Sequence, residues 1–134
     1  MPDPAPLYLT TPIFYANAEP HIGHTYTLIV ADMLARFWRA RGRDVFVTTG
    51  TDEHGDKIAQ AAAKHGMDPK EWVDRMSVTW KDTWRAIGLS YDHFVGTTDP
   101  GHEAYVQQIL SEFHERGDIT FDRYTGLYCY GCGR

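Results

Sequence analysis

Three clusters of the 134-residue chain hold residue types able to do chemistry: His21-Ile22-Gly23-His24, Thr51-Asp52-Glu53-His54-Gly55 and Cys129-Tyr130-Gly131-Cys132. Two imidazoles three residues apart on a first helical turn point to one side and can reach one ligand. Gly23 removes the side chain that would hold that ligand off the backbone. The amides and positive dipole end of a helix start favour an anion, and phosphate is the natural occupant. Two other readings stay open, in which the histidines are a helix cap and a surface residue, or metal ligands; Gly23 and the dipole argue against a cation. Asp52 offers a carboxylate at the end of an apolar run, or an N-cap for whatever helix follows. His54 reads as a loop hydrogen-bonding residue rather than a catalyst.

Cys129 and Cys132, followed by Gly133, have the spacing of half a zinc knuckle. One pair cannot close a tetrahedral site. A redox dithiol is the alternative, but such pairs usually open a helix after a strand, and this one follows a hairpin pattern.

The elements that must position these residues follow from periodicity. Leu7 to Thr11 reads as a short strand, apolar almost throughout, as a parallel strand covered on both faces should be. A loop rich in Pro, Asn and Ala leads to a helix over His24 to Arg41, with an apolar stripe of Tyr26, Ile29, Met33, Leu34 and Phe37. Asp32, Arg36 and Arg39 take its opposite face, with a weak Asp32–Arg36 pair, and Gly42 closes it. Asp44 to Thr49 is the second strand, parallel to the first, so both polar clusters fall at the carboxyl edge of the sheet, where ligands bind in such units. A helix follows over roughly 56–64. Asp68-Pro69-Lys70-Glu71 then starts another, with Val73, Met76, Trp80, Trp84 and Ile87 as its apolar stripe. Phe94 to Gly96 is a third strand. Asp99-Pro100 opens a helix carrying Val106, Ile109, Leu110 and Phe113, and alternation from Ile119 to Cys129 predicts a hairpin.

Bulk composition excludes several classes. With 43% hydrophobic and 13% aromatic residues, one compact α/β unit can form its own core. A net charge of -5 with scattered basic residues gives no stripe for docking DNA or RNA on this segment. No apolar run approaches 18 residues and no leader precedes Leu7, so membrane insertion and secretion are not expected; two closely spaced cysteines fit a reducing cytoplasm. His65, His93, His102 and His114 read as solvated surface residues.

The flanks of the histidine cluster sharpen the reading. Pro12-Ile13-Phe14-Tyr15-Ala16-Asn17-Ala18-Glu19-Pro20-His21-Ile22-Gly23-His24 resembles the first signature of class I aminoacyl-tRNA synthetases. Thr11 to Asn17 together with Thr51 to Gly55 resembles the methionyl-tRNA synthetases within that class. The cysteinyl enzymes carry a metal-binding Cys near the first strand, which this chain lacks, and the leucine, isoleucine and valine enzymes have a different lead-in. The resemblance extends from Leu7 to Arg134.

The resemblance implies a fold: residues 1–118 as the first half of a Rossmann-like α/β catalytic domain with parallel strands, and 119–134 as the start of a connective, zinc-binding insertion. It also implies a chemistry. His21, Gly23 and His24 hold ATP, accompanied by Mg2+, with the imidazoles donating to phosphate oxygens as charge builds at the α-phosphorus, and Asn17 lies near the nucleotide. Ile13, Tyr15 and Asp52 receive L-methionine, Asp52 through the α-ammonium, and an aromatic such as Tyr15 suits a thioether. Cys129 and Cys132 are two ligands of a Zn2+ site that is incomplete in this chain. The product, methionyl-adenylate, is passed to tRNA(Met). A Lys-Met-Ser-Lys-Ser-like second signature, further metal ligands and an anticodon-binding domain are all missing from the sequence. The expectation is therefore of a segment inactive by itself, with a sticky unpaired sheet edge. A His-x-Gly-His nucleotidyltransferase and a non-catalytic binding module are the alternatives.

Overall fold

The β-branched run Val45-Phe46-Val47-Thr48-Thr49 seeds the central strand of the sheet. In the computed structural model, which describes residues 5–123, 125–127 and 129, it belongs to β3, Val45–Asp52. The remaining elements are β1 (Leu7–Thr10), β2 (Phe14–Tyr15), α1 (Ile22–Ala40), α2 (Asp56–Lys64), α3 (Pro69–Ala86), β4 (His93–Gly96) and α4 (Pro100–Glu115). The chain divides into two compact units, residues 1–98 and 99–134.

All pairings to β3 are parallel. Leu7 to Thr10 face Val45 to Thr48, and Phe14 and Tyr15 face Thr51 and Asp52. β4 pairs with Thr48 to Thr51, residues already matched to β1 and β2, so it runs along the opposite edge of β3. β1 and β2 are thus one interrupted strand. Four residue steps from Thr10 to Phe14 match three from Thr48 to Thr51, so one extra residue is accommodated around Pro12, which has no N–H to give to a ladder.

One face of this sheet is covered. Val45 and Val47 pack with Ala35 of α1, joined by Leu7, Leu9 and Trp38. A larger cluster joins Phe14 and Ala16 to Leu28 and Ala31 of α1, Ile58 and Ala62 of α2, and Trp72, Val73, Met76, Trp80 and Trp84 of α3. The left-handed cap expected at Gly42 is present, with φ of 80°, and Gly88 follows α3 in the same region at 73°. Asp68 caps α3 by accepting from Lys70 N at 2.8 Å.

Several expectations are corrected. β1 is not covered on both faces: Tyr8 is 63% exposed and its ring lies 6.0 Å from that of exposed Phe46, because the helical packing lies on the Leu7 and Leu9 side. The apolar stripe of α1 is not its buried face either, since Tyr26, Ile29, Met33, Leu34 and Phe37 are all exposed. The buried positions are Leu28, Ala31, Asp32 and Ala35, small enough at the two alanines for close approach to the sheet. Asp32 enters that face because its charge is satisfied. It is only 7% exposed, and it accepts from Arg36 Nε at 2.7 Å and from Ser90 N at 3.0 Å, with the Ser90 hydroxyl on the same oxygen. Burial pushes its carboxyl up, but the Arg36 and Ser90 bonds outweigh it and hold the group below the ordinary value.

The α1 helix begins at Ile22, two residues earlier than its apolar pattern suggested, and β3 runs on to Asp52. The hairpin expected over 119–129 lies partly outside the described residues; among those described there, none is in a strand, and Phe121 and Leu127 lie fully open. His65 is exposed but not simply solvated, since its ring stacks on Trp72 at 4.4 Å.

Candidate functional site

The start of α1 is built by its own histidines. Pro20 leads into His21, whose extended backbone (φ -130°, ψ 171°) is that of an N-cap. Its Nδ1 accepts the Gly23 amide at 3.1 Å, while His24 Nδ1 accepts the His21 amide at 3.3 Å. This is a capping box made of two imidazoles, and the rings stack with centroids 3.6 Å apart. Since both Nδ1 atoms take N–H donors, each neutral ring carries its proton on Nε2. The pair therefore offers two Nε2–H groups to a ligand.

The cap reading of the histidines and an anion-donor reading are thus compatible, but their division of labour differs from the one the spacing suggested. A Cβ on Gly23 would come within 3.0 Å of His21 Cε1 and 3.2 Å of Nδ1, so this glycine makes room for the imidazole. The Gly23 amide is taken by His21, and the His24 amide bonds the His21 carbonyl at 3.0 Å. The open helix amides expected to receive an anion are largely occupied, and the donors left at this end are imidazole ones. His24 also rests against Phe14 (5.2 Å) and Trp80 (4.8 Å). That burial, and then the neighbouring charge of His21, hold its titration below the ordinary imidazole value.

Tyr15 and Asp52 are partners in the parallel ladder between β2 and β3, so their side chains leave the same face of the sheet. Tyr15 and Ile13 are exposed, and the Asp52 carboxylate has no hydrogen bond or ion pair among the described residues. Asp52 is not a helix cap, because α2 is capped at Gly55, whose φ of 116° only glycine adopts readily. The structure therefore brings His21 to His24 and Tyr15 to Asp52, and Phe14 ties the two pairs together: its ring lies on His24 and its backbone pairs with Thr51.

Two sets of residues at this edge were not singled out from the sequence. Glu53, 6% exposed, accepts from Thr51 Oγ1 (2.6 Å), Thr98 Oγ1 (2.6 Å) and Thr98 N (3.1 Å), and its own amide donates to Thr97 Oγ1 at 2.9 Å. It binds the end of β3 to the segment after β4, and His54 Nε2 sits 3.3 Å from the Thr97 carbonyl as a loop hydrogen-bonding partner. The second set is Trp72 and Trp80, whose indole N–H groups donate to the carbonyls of Ala16 (2.8 Å) and Ala18 (3.3 Å) on either side of Asn17. A buried indole N–H usually finds an acceptor, and that is the signal a stripe of tryptophans offers. Asn17 itself is exposed and lines two clefts of about 340 Å³ each, shared with His65 and walled by α2 and α3. Neither cleft is lined by His21, His24 or Asp52.

Cys129 is exposed, and Cys132 lies outside the described residues. Among the described residues no group of three or more His, Cys, Asp or Glu side chains could hold a metal ion, so the donor set in view does not make a zinc site. No helix among them is long and apolar enough to cross a membrane.

Comparison with known proteins agrees with this geometry. The family described as tRNA synthetases class I (M) matches residues 7–134. A methionine–tRNA ligase of Caldanaerobacter subterraneus subsp. tengcongensis is 50% identical over 125 residues, which is 93% of this chain and 20% of that protein. A chloroplastic/mitochondrial methionine–tRNA ligase of Arabidopsis thaliana is 48% identical over 124 residues, 92% of this chain and 20% of that protein. The solved methionyl-tRNA synthetase of Mycobacterium tuberculosis, in complex with methionyl-adenylate, superposes with a TM-score of 0.88 at 42% identity over 92% of this chain and 24% of that one. The chain thus spans about a fifth of the length of the relatives it matches. With the parallel strands of a Rossmann-like sheet and its histidine-capped first helix, the chain belongs to the methionyl family of class I aminoacyl-tRNA synthetases.

Proposed function

We propose that this chain contributes the histidine side of a methionine-activating site, binding ATP at the start of α1 and L-methionine at the carboxyl ends of β2 and β3. The carrying observation is the stacked His21–His24 pair with both Nδ1 atoms engaged, which leaves the two Nε2–H groups as the donors of the pair. In the reaction, a methionine carboxylate oxygen attacks the α-phosphorus. The new O–P bond forms as the bond to the bridging oxygen breaks, and pyrophosphate leaves with the electron pair. The residues on this chain do little covalent work: His21 and His24 donate to phosphate oxygens as negative charge grows, and the Asp52 carboxylate holds the α-ammonium. Tyr15, on the same sheet face as Asp52, supplies an aromatic wall for the thioether, with Ile13 beside it, and Asn17 contacts the nucleotide.

Mg2+ enters with ATP as its counter-ion. A zinc knuckle started by Cys129 and Cys132 takes two further donors, and metal analysis of the purified chain tests it, bound zinc lost on substituting either cysteine being the supporting result. Residues 1–118 form the first half of the catalytic domain and 119–134 begin the connective insertion. The adenylate is passed on to tRNA(Met), in the cytoplasm. What supports the reading is the pairing of the two residue sets at one sheet edge together with the kinship to methionine–tRNA ligases. Calorimetric titration with MgATP, with and without methionine, tests it: methionine-dependent nucleotide binding, abolished in His21→Ala, is expected. Nucleotide binding indifferent to methionine would favour a His-x-Gly-His nucleotidyltransferase instead.

A further inference from the structure

We infer that Trp80 is a positioning residue for the nucleotide, fixing the His24 imidazole and the loop around Asn17 relative to one another. The inference rests on the nucleotide reading of His21 and His24 given above. One side chain, fully buried, touches three parts of the site. Its ring lies against His24 at 4.8 Å, it stacks flat on Phe14 (5.1 Å, 10° between planes), and its N–H donates to the Ala18 carbonyl at 3.3 Å. Two turns earlier on the same helix, Trp72 N–H holds the Ala16 carbonyl at 2.8 Å, and the Ala16 amide is held in turn by the Asp52 carbonyl at 3.0 Å. The backbone on both sides of Asn17 is therefore pinned to α3. Pinning of this kind leaves a ligand little to reorganise on arrival.

Burial alone does not account for these bonds. Trp84, one turn on in α3 and equally buried, keeps its Nε1 without a hydrogen-bond partner. An indole in this core is thus tolerated with its N–H unmet, and the two that are met are those facing the loop. Trp80 thus touches both an imidazole of the proposed phosphate site and the backbone beside Asn17.

The test compares Trp80→Phe, which keeps an aromatic ring for Phe14 and His24 but loses the donor, with Trp84→Phe, which loses an N–H that had no partner. Amide exchange is read at Ala16, whose N–H is held by the Asp52 carbonyl, and the affinity for MgATP by calorimetry. Trp80→Phe should speed exchange there by about tenfold and weaken MgATP by about three- to tenfold, as removal of one neutral hydrogen bond does, while Trp84→Phe changes neither. Should Trp80→Phe misfold, benzothienylalanine at position 80 keeps the shape and replaces the N–H by sulfur, with the same outcomes expected. Unchanged exchange at Ala16, or equal effects from both tryptophan substitutions, overturns the inference. Failure of the unsubstituted chain to bind MgATP counts against the nucleotide reading instead, and the exchange measurement, which needs no ligand, still decides the clamp.

Discussion

The imidazoles of His21 and His24 lie 3.6 Å apart, each with Nδ1 turned to a backbone amide of the same helical turn. Two rings so close cannot both be charged without repulsion, and burial adds to the penalty at His24. His24 should titrate below the ordinary imidazole value of 6.5. Replacing His21 by Asn, which still caps, should move that titration up but leave it depressed, because burial is the larger cause. For stability the sign follows directly: the unfolded chain takes the proton first as pH falls. His24 thus contributes stability above about pH 6.5, and loses it as pH falls through its own lower titration point. Proton NMR of the ring signals checks this, and a His24 titration at or above the ordinary value would refute the account.

Asp52 should matter to ligand and hardly at all to folding. Its carboxylate has no partner among the described residues, so Asp52→Asn should leave the unfolding free energy in urea within about 0.5 kcal/mol of the parent. Methionine binding, where the α-ammonium needs that charge, should fall by about tenfold to hundredfold. A large stability loss with unchanged methionine affinity would reverse the assignment.

The neighbouring carboxylate should behave in the opposite way. Glu53 receives three donors in a buried site, and Glu53→Gln replaces an accepting oxygen with an amide that confronts them. A loss of about 2 kcal/mol is expected by chemical denaturation. Gly96→Ala should act on the same contact, because its Cβ would stand 2.8 Å from both Glu53 carboxylate oxygens. If both variants denature like the parent, Glu53 does not fasten β3 to the segment after β4.

The exposed stripe of α1 sets a fourth expectation. Tyr26, Met33 and Phe37 present a continuous apolar surface of the kind that drives self-association. Tyr26→Ser with Phe37→Ser should lower hydrophobic-dye binding and raise the monomer fraction in sedimentation, at small cost to the denaturation midpoint. Association unaffected by both changes would point to the bare sheet face at Tyr8 and Phe46 instead.

Much of this architecture is legible in the sequence where local chemistry decides it. Asp68-Pro69 and Gly88 bound α3 as cap and stop, and the β-branched run of β3 needs no tertiary information to be read as a strand. Periodicity fails on α1 because it reports how apolar a face is, not what lies against it. The alanines at 31 and 35 and the satisfied Asp32 are buried, and the larger side chains are not. The meeting of the two histidines at one helix start was legible, yet the role of Gly23 was not, since the ring that occupies its space belongs to His21 and depends on a rotamer. The tryptophan bonds to Ala16 and Ala18 span 56 and 62 residues, beyond any local pattern.

The extra residue around Pro12 has a consequence for which aromatic goes where. Side chains alternate along a strand, so inserting one residue reverses the parity of everything after it. At the register of β1, Phe14 would stand opposite Asp52 and face outward, and Tyr15 would turn inward with its hydroxyl among tryptophans. The observed register puts Phe14 against Thr51 and Tyr15 against Asp52. Deleting one residue between Thr11 and Ile13 would therefore exchange the two rings, sending the phenol into the core and standing a phenyl ring beside Asp52 in its place. An irregular stretch of three residues, exposed at Pro12 and Ile13, thus sets which chemical group stands beside the carboxylate.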